Sequence, residues 1–162
     1  MARIESKLAA LGLVLPAPMQ VPSGVVLPFA MVRIVGKRAL VSGHGPLAAD
    51  GSLAQPLGKV GSDLTVEQGH AAARLTGLAI LASLQRALGD LDRITAWTRV
   101  FGMVNSAPGF VRQPAVINGF SELVLDLFGP EVGAHPRSAV GLFELPFSIP
   151  VEIEAEVEFA AA

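Results

Sequence analysis

From position 151 to 159 the chain alternates without interruption. Val151, Ile153, Ala155, Val157 and Phe159 form one set, and Glu152, Glu154, Glu156 and Glu158 the other. A period of two belongs to a β-strand, so the apolar set faces a core and the acidic set faces water or cations. A second strand, RSAVGLFEL from Arg137, precedes it across Pro146 to Pro150. Earlier, two β-rich runs flank Gly36-Lys37, and a two-residue loop with glycine first suits a type II′ hairpin turn.

The period changes at Thr65. Leu75, Leu78, Leu81, Leu84 and Leu88 recur every three or four residues, which is helical spacing. Thr65 and Gln68 stand at N-cap and N3 distance, a capping box, and Gly89 supplies the stop. DRITAWTRVFGMVNS alternates again as a strand, with Trp97, Arg99, Phe101 and Met103 expected on one side. AVINGFSELVLDLFG predicts a second helix that turns Val116, Phe120, Leu123, Val124 and Leu127 inward and closes at Gly129. At the amino end, MARIESKLAALGL predicts a short amphipathic helix with Ile4, Leu8 and Leu11 on one side. Prolines 16, 18, 22 and 28 then exclude regular helix and predict an extended segment lying over the domain.

The expected order is therefore β-β-α-β-α-β-β after a short N-terminal helix. Two helices on one face of a mixed sheet make a two-layer α+β fold. The chain of 162 residues suits a single domain, with residues 1–27 as helix and proline-rich extension and 28–160 as core. The apolar side of the third strand exceeds what a wet sheet face needs, so a sheet-to-sheet oligomer is the preferred account.

Composition narrows the chemistry. Cysteine is absent, which excludes disulfides, thiolate nucleophiles and thiolate-bound zinc, and fits a reducing, cytoplasmic setting. A net charge of −2 provides no basic surface to follow a phosphate backbone, so nucleic acid is a poor default partner. No run of 18 apolar residues is present to span a membrane as a helix. His44, His70 and His135 share no metal-ligand spacing, so no metal site is expected. Ser106 lacks the G-x-S-x-G elbow, and serine hydrolysis finds no support in the sequence. Arg137, taken alone at a strand start, reads most often as a surface or ion-pair residue, with Glu144 or the glutamate row as its partner, and less often as a grip for an anion.

The segment PRSAVGLFELP followed by VEIEAE resembles the carboxy-terminal signature of the RidA/YjgF family of reactive-intermediate deaminases. GKRALVSGHGPL, the long Thr65 helix with its following strand, and VINGFSELVLDLFG resemble further family segments in the same order, covering most of residues 28–158. The amino-terminal extension resembles that of a longer sub-branch. The resemblance implies a chorismate-mutase-like fold, a homotrimer with clefts between subunits, a small carboxylate metabolite as ligand, and no cofactor. It implies that Arg137 grips the substrate carboxylate and that Glu152 positions a water. Ser42 and Asn118 fall on polar cleft positions. Phe29, Ala139 and His44 fall on substrate-binding positions where tyrosine, cysteine and glutamine are common. The activity implied is enamine/imine deamination, with a non-catalytic metabolite-binding or regulatory trimer as the alternative. Ribonuclease activity, also attached to the family, is opposed by the charge.

Overall fold

In the computed structural model, which describes residues 3–161, the elements follow the expected order. Helix α1 (Arg3–Ala10) leads to hairpin strands β1 (Val32–Val35) and β2 (Arg38–His44). Helix α2 (Val66–Leu88), strand β3 (Ile94–Asn105), helix α3 (Gln113–Val132), and strands β4 (Arg137–Leu142) and β5 (Val151–Phe159) follow. The five strands form one mixed sheet in the order β1-β2-β5-β3-β4, with β3 and β4 parallel and the other neighbours antiparallel. This is the two-layer α+β architecture, with α2 and α3 on the sheet's dry face.

Local chemistry sets the boundaries. Gly36 has φ +60°, which the first position of a II′ turn requires, and Val35 pairs with Arg38 across it. The Thr65 hydroxyl accepts from the Gln68 amide while the Gln68 side chain accepts from the Thr65 amide, so the capping box closes both ways. Such a cap contributes about 1 kcal/mol. Pro114 stands in the first turn of α3, where its missing N–H costs nothing, and Gly129 breaks the helix with φ +78° before a last short turn. Asp92 caps α1 from a distance, accepting from the amides of Arg3 at 2.6 Å and Ile4 at 3.0 Å. Leu11 lies beyond the end of α1 and is half exposed, leaving Ile4 and Leu8 as its buried anchors. The proline-rich segment runs extended over the domain, with the Ala17 amide on the Ala49 carbonyl and the Gln20 amide on that of Gly51.

The core lies between sheet and helices. Trp97, 1% exposed, meets Phe120 and Phe128 edge-on at centroid distances of 5.7 and 5.6 Å. Each edge-on pair is worth about 0.5–1.5 kcal/mol beyond the area it buries. This overturns one expectation. Trp97 pairs with Val157 and turns into the core, whereas Arg99 and Phe101 pair with Glu156 and Glu154 on the opposite, open face. The physical reason is a register shift between Trp97 and Arg99, which exchanges the two sides of β3 at that point.

Close approach of α2 and α3 depends on glycines. A side chain at Gly119 would overlap the His70 carbonyl on α2, and one at Gly77 would press on Leu123 at 2.8 Å. The His70 contact is backbone and cannot swing aside. Replacing Gly119 with alanine is therefore expected to destabilise the fold by about 1–3 kcal/mol through overpacking, read as a lower urea midpoint. An unchanged midpoint would show that the helices can separate freely.

Candidate functional site

Arg137 opens β4 opposite Val100, a fully buried residue, so its side chain leaves the sheet on the helix-covered face. There it lies along α3. Its Nη1 donates to Ser121 Oγ at 2.9 Å, and its Nη2 donates to Asn118 Oδ1 at 2.8 Å and to the Pro114 carbonyl at 3.2 Å. Positions 114, 118 and 121 recur at helical spacing, so one stripe of α3 presents all three acceptors. Partial burial lowers the arginine's basicity, and the guanidinium keeps its charge.

The network extends one step further. The imidazole Nδ1 of His135 lies 2.7 Å from the Gly133 carbonyl, which can only accept, so Nδ1 holds the ring proton. Its Nε2 is then a bare acceptor, and the Ser121 hydroxyl donates to it at 2.9 Å. Burial lowers the basicity of His135, the Gly133 carbonyl opposes that, and the Arg137 charge adds to the lowering. Asn118, Ser121, His135 and Arg137, with Leu125 and Ala134, line an open pocket of about 340 Å³. Ser121 and His135 were not among the candidates from sequence. The helical spacing of 118 and 121 was the available signal for the serine. The histidine is brought in by the turn before β4.

Ser42 and Glu152 occupy the other face. Glu152 pairs with Met103, and Met103 with Val140, a row on the open side of the sheet. Its carboxylate lies directly over Gly43, where any side chain would overlap Oε1. Burial and then the neighbouring Glu154 raise its pKa. The Ser42 hydroxyl donates to the Ala30 carbonyl at 2.7 Å, which brings the loop carrying the half-exposed Phe29 beside it. Ser42, Arg33, Arg99, Phe101 and Glu154 line a second open pocket of about 310 Å³.

One protomer thus gathers Arg137 with Asn118 and, separately, Ser42 with Glu152 and the Phe29 loop. Arg137 and Glu152 stand on opposite faces, two strands apart. Ala139 faces the helices opposite Gly102 and packs against the core, on the Arg137 side. His44 requires a correction, because it has no surface to offer a cleft. A register shift between Val41 and His44 inserts an extra residue and turns the ring inward, where it is 4% exposed. Its Nδ1 donates to the Ser42 carbonyl at 2.6 Å and its Nε2 accepts from the Ser83 hydroxyl at 2.9 Å. Burial, chiefly, lowers its pKa.

Acidic residues also cluster away from both pockets, where Glu5, Asp90 and Asp92 bring carboxylate oxygens within 4.8 Å of one another. Hydrogen bonds within the protein engage all three side chains, while one buried oxygen, Glu5 Oε2, has no partner among the described residues. Asp92 caps α1, Asp90 accepts from the Asp92 amide at 2.8 Å, and Glu5 accepts from the Gln85 side chain at 3.1 Å. Among the described residues no helix is long and apolar enough to cross a membrane.

Residues 5–149 match the model of a family described as "YjgF/chorismate mutase-like, putative endoribonuclease". The protein TCP17 of Trypanosoma cruzi is 40% identical over 156 residues, 96% of this chain and 94% of that one. A crystal structure of Atu1372, a protein of unknown function from Agrobacterium tumefaciens, is 39% identical. It superposes with a TM-score of 0.85, covering 98% of this chain and 94% of that chain. Escherichia coli TdcF, solved with bound serine, shares the fold at 18% identity and TM-score 0.57, over 89% of this chain and 99% of that one.

The raised pKa of Glu152 has a sign that can be checked. The folded state holds this proton more tightly than the unfolded chain, so stability is lost as pH rises from the ordinary glutamate range through the raised value. Glu152→Gln is therefore expected to raise the urea midpoint at about pH 7 and to leave it unchanged at about pH 3. A midpoint lowered at neutral pH would mean that the carboxylate is held by a partner instead of penalised by burial.

Proposed function

The chain belongs to the YjgF/chorismate mutase-like family, and from that premise we propose that it binds small carboxylate metabolites and hydrolyses 2-imino and 2-enamino acids to 2-keto acids and ammonia. The observation that carries this reading is the preordered guanidinium. Three bonds to α3 fix the plane of Arg137 and leave its Nε–H and one Nη1–H uncommitted at the lip of a pocket. Much of the entropy of holding a long side chain still is met before any ligand arrives, which favours recognition of an anion. The serine bound to TdcF is a molecule of the right size and charge in a protein of the same fold.

Chemistry needs both halves. Because Arg137 and Glu152 leave opposite sides of the sheet, the proposal includes a homotrimer in which Arg137 of one subunit meets the Glu152, Ser42 and Phe29 face of the next. In that cleft the imine carbon, drawn positive by its nitrogen, takes the oxygen of a water. Glu152 accepts the water's proton and passes it to the nitrogen. It then carries the proton of the new hydroxyl to the nitrogen as well, so that the C–N bond breaks, ammonia leaves and the keto group forms. A carboxyl whose pKa is raised by burial is better matched to that exchange near neutral pH than an ordinary one. The reaction asks for no cofactor, and a cysteine-free chain suits a cytoplasmic location.

A non-catalytic metabolite-binding trimer is the second reading. It is favoured by Phe29, which brings no hydroxyl to the loop beside Ser42, and by Ala139, which brings no thiol. The endoribonuclease of the family description fits less well, since a net charge of −2 gives RNA little to follow.

The test is ammonia release from enzymatically generated 2-aminoacrylate. The wild type is expected to exceed the spontaneous rate, and Arg137→Ala to raise KM by about 10- to 150-fold, the worth of a charge-assisted hydrogen bond. Keto-acid binding without rate enhancement would select the non-catalytic reading. Sedimentation as a monomer at micromolar concentration would remove the shared cleft and the proposal with it.

A further inference from the structure

We propose that Ser121 and His135 form a nucleophile–base pair that gives the Arg137 pocket acyl-transfer activity toward small, activated acyl esters or thioesters. This goes beyond the deaminase reading and does not depend on capture of a carboxylate or on a subunit interface. The geometry meets the requirements of an activated serine one by one. The hydroxyl proton of Ser121 points at Nε2 of a neutral imidazole, 2.9 Å away. That imidazole is locked in the useful tautomer, because its Nδ1–H is spent on the Gly133 carbonyl at 2.7 Å. The guanidinium of Arg137 donates to the same Oγ at 2.9 Å, so the oxygen that would become an alkoxide already faces a cation. Asn118 gives its carbonyl to Arg137, which leaves its amide N–H groups free at the pocket wall as a second donor. Leu125 and Ala134 complete that wall with apolar surface, suited to a short acyl chain.

The step balances without a co-reactant other than water. Ser121 Oγ attacks the acyl carbonyl carbon as its proton passes to His135 Nε2, and the carbonyl oxygen takes the negative charge beside Arg137 and Asn118. Collapse of this adduct breaks the bond to the leaving alkoxide or thiolate, which takes the proton from His135. A water then attacks the acyl-serine, giving its proton to His135. The carboxylic acid departs and Ser121 recovers its hydroxyl proton.

The molecule contains its own control. Ser83 donates to His44 Nε2 at 2.9 Å, Arg86 donates to Ser83 at 3.0 Å, and His44 Nδ1 donates to the Ser42 carbonyl at 2.6 Å. The chain of donors is the same as that of Arg137, Ser121, His135 and Gly133. Ser83 and His44, however, are 6% and 4% exposed and line no pocket described here, whereas Ser121 and His135 are half-buried and open to one. The arrangement at 83 and 44 holds α2 onto the sheet. At 121 and 135 the same arrangement is accessible to substrate.

The experiment is active-site labelling of the full chain with a fluorophosphonate probe, followed by peptide mass mapping. It is paired with a p-nitrophenyl acetate assay. The adduct is expected on Ser121 and not on Ser83, and it should be absent in Ser121→Ala. In His135→Gln both the labelling rate and p-nitrophenol release should fall at least tenfold. No adduct at Ser121 in the wild type, or labelling that is unchanged in His135→Gln, overturns the proposal. The wild-type map decides even where a variant fails to fold. Loss of imine hydrolysis with labelling intact would count against the deaminase reading alone.

Discussion

Strand β5 occupies the middle of the sheet between β2 and β3, and its unbroken alternation is the constraint on which the rest of the molecule depends. Every odd position from Val151 to Phe159 is buried, so the helices can lie on only one face. Every even position is a glutamate, so the other face cannot be covered by ordinary apolar packing. This division places α3, and with it the anchors of Arg137, on one side of the sheet. Glu152 is held on the other. A slip of one residue in β5 would bury four carboxylates and expose five apolar side chains, so the register is strongly specified.

The elements were legible because their signals are local. Capping box, glycine stops and hydrophobic period each arise from neighbours within a few positions, and these fixed the order of strands and helices as well as the core stripe of α3. The shifts in register were not legible. One extra residue between Val41 and His44 reverses which side chain enters the core. Gly43, a glycine inside a strand pattern, is the only residue type there that hints at a bulge, without saying where it falls. The same holds between Trp97 and Arg99, where a tryptophan expected beside Phe101 belongs instead with Phe120 and Phe128. Site residues divide in the same way. Arg137 and Asn118 could be named from a resemblance along the chain. The link from Ser121 to His135 spans 14 residues, a helix end and a turn, and it exists only once α3 lies against β4.

Two arginine–serine–histidine chains in one small protein show what such a network does by itself. Each lets a buried or half-buried imidazole satisfy both ring nitrogens while remaining neutral, which burial favours. Each also ties a helix to the sheet or to the turn that feeds it. Between Ser83 and His44 that is the whole effect, because solvent does not reach either group. Reactivity is thus a question of access added to a shared stabilising arrangement.

The open face sets terms for anything that docks there. Four carboxylates along one strand repel one another unless cations or water stand close. The protomer supplies part of that compensation itself, through an ion pair between Arg38 and Glu156, and Arg33 and Arg99 border the same pocket as Glu154. Leu40, Phe101, Met103 and Val140 add partly exposed apolar surface to the same face. A surface of this kind is too acidic for a purely hydrophobic interface and too apolar to be merely solvated. It fits a partner surface that brings both apolar contact and positive charge. Further burial of Glu152 would raise its pKa and a cation brought beside it would lower it, so association at this face and the acidity of that carboxyl are coupled, each changing with the other.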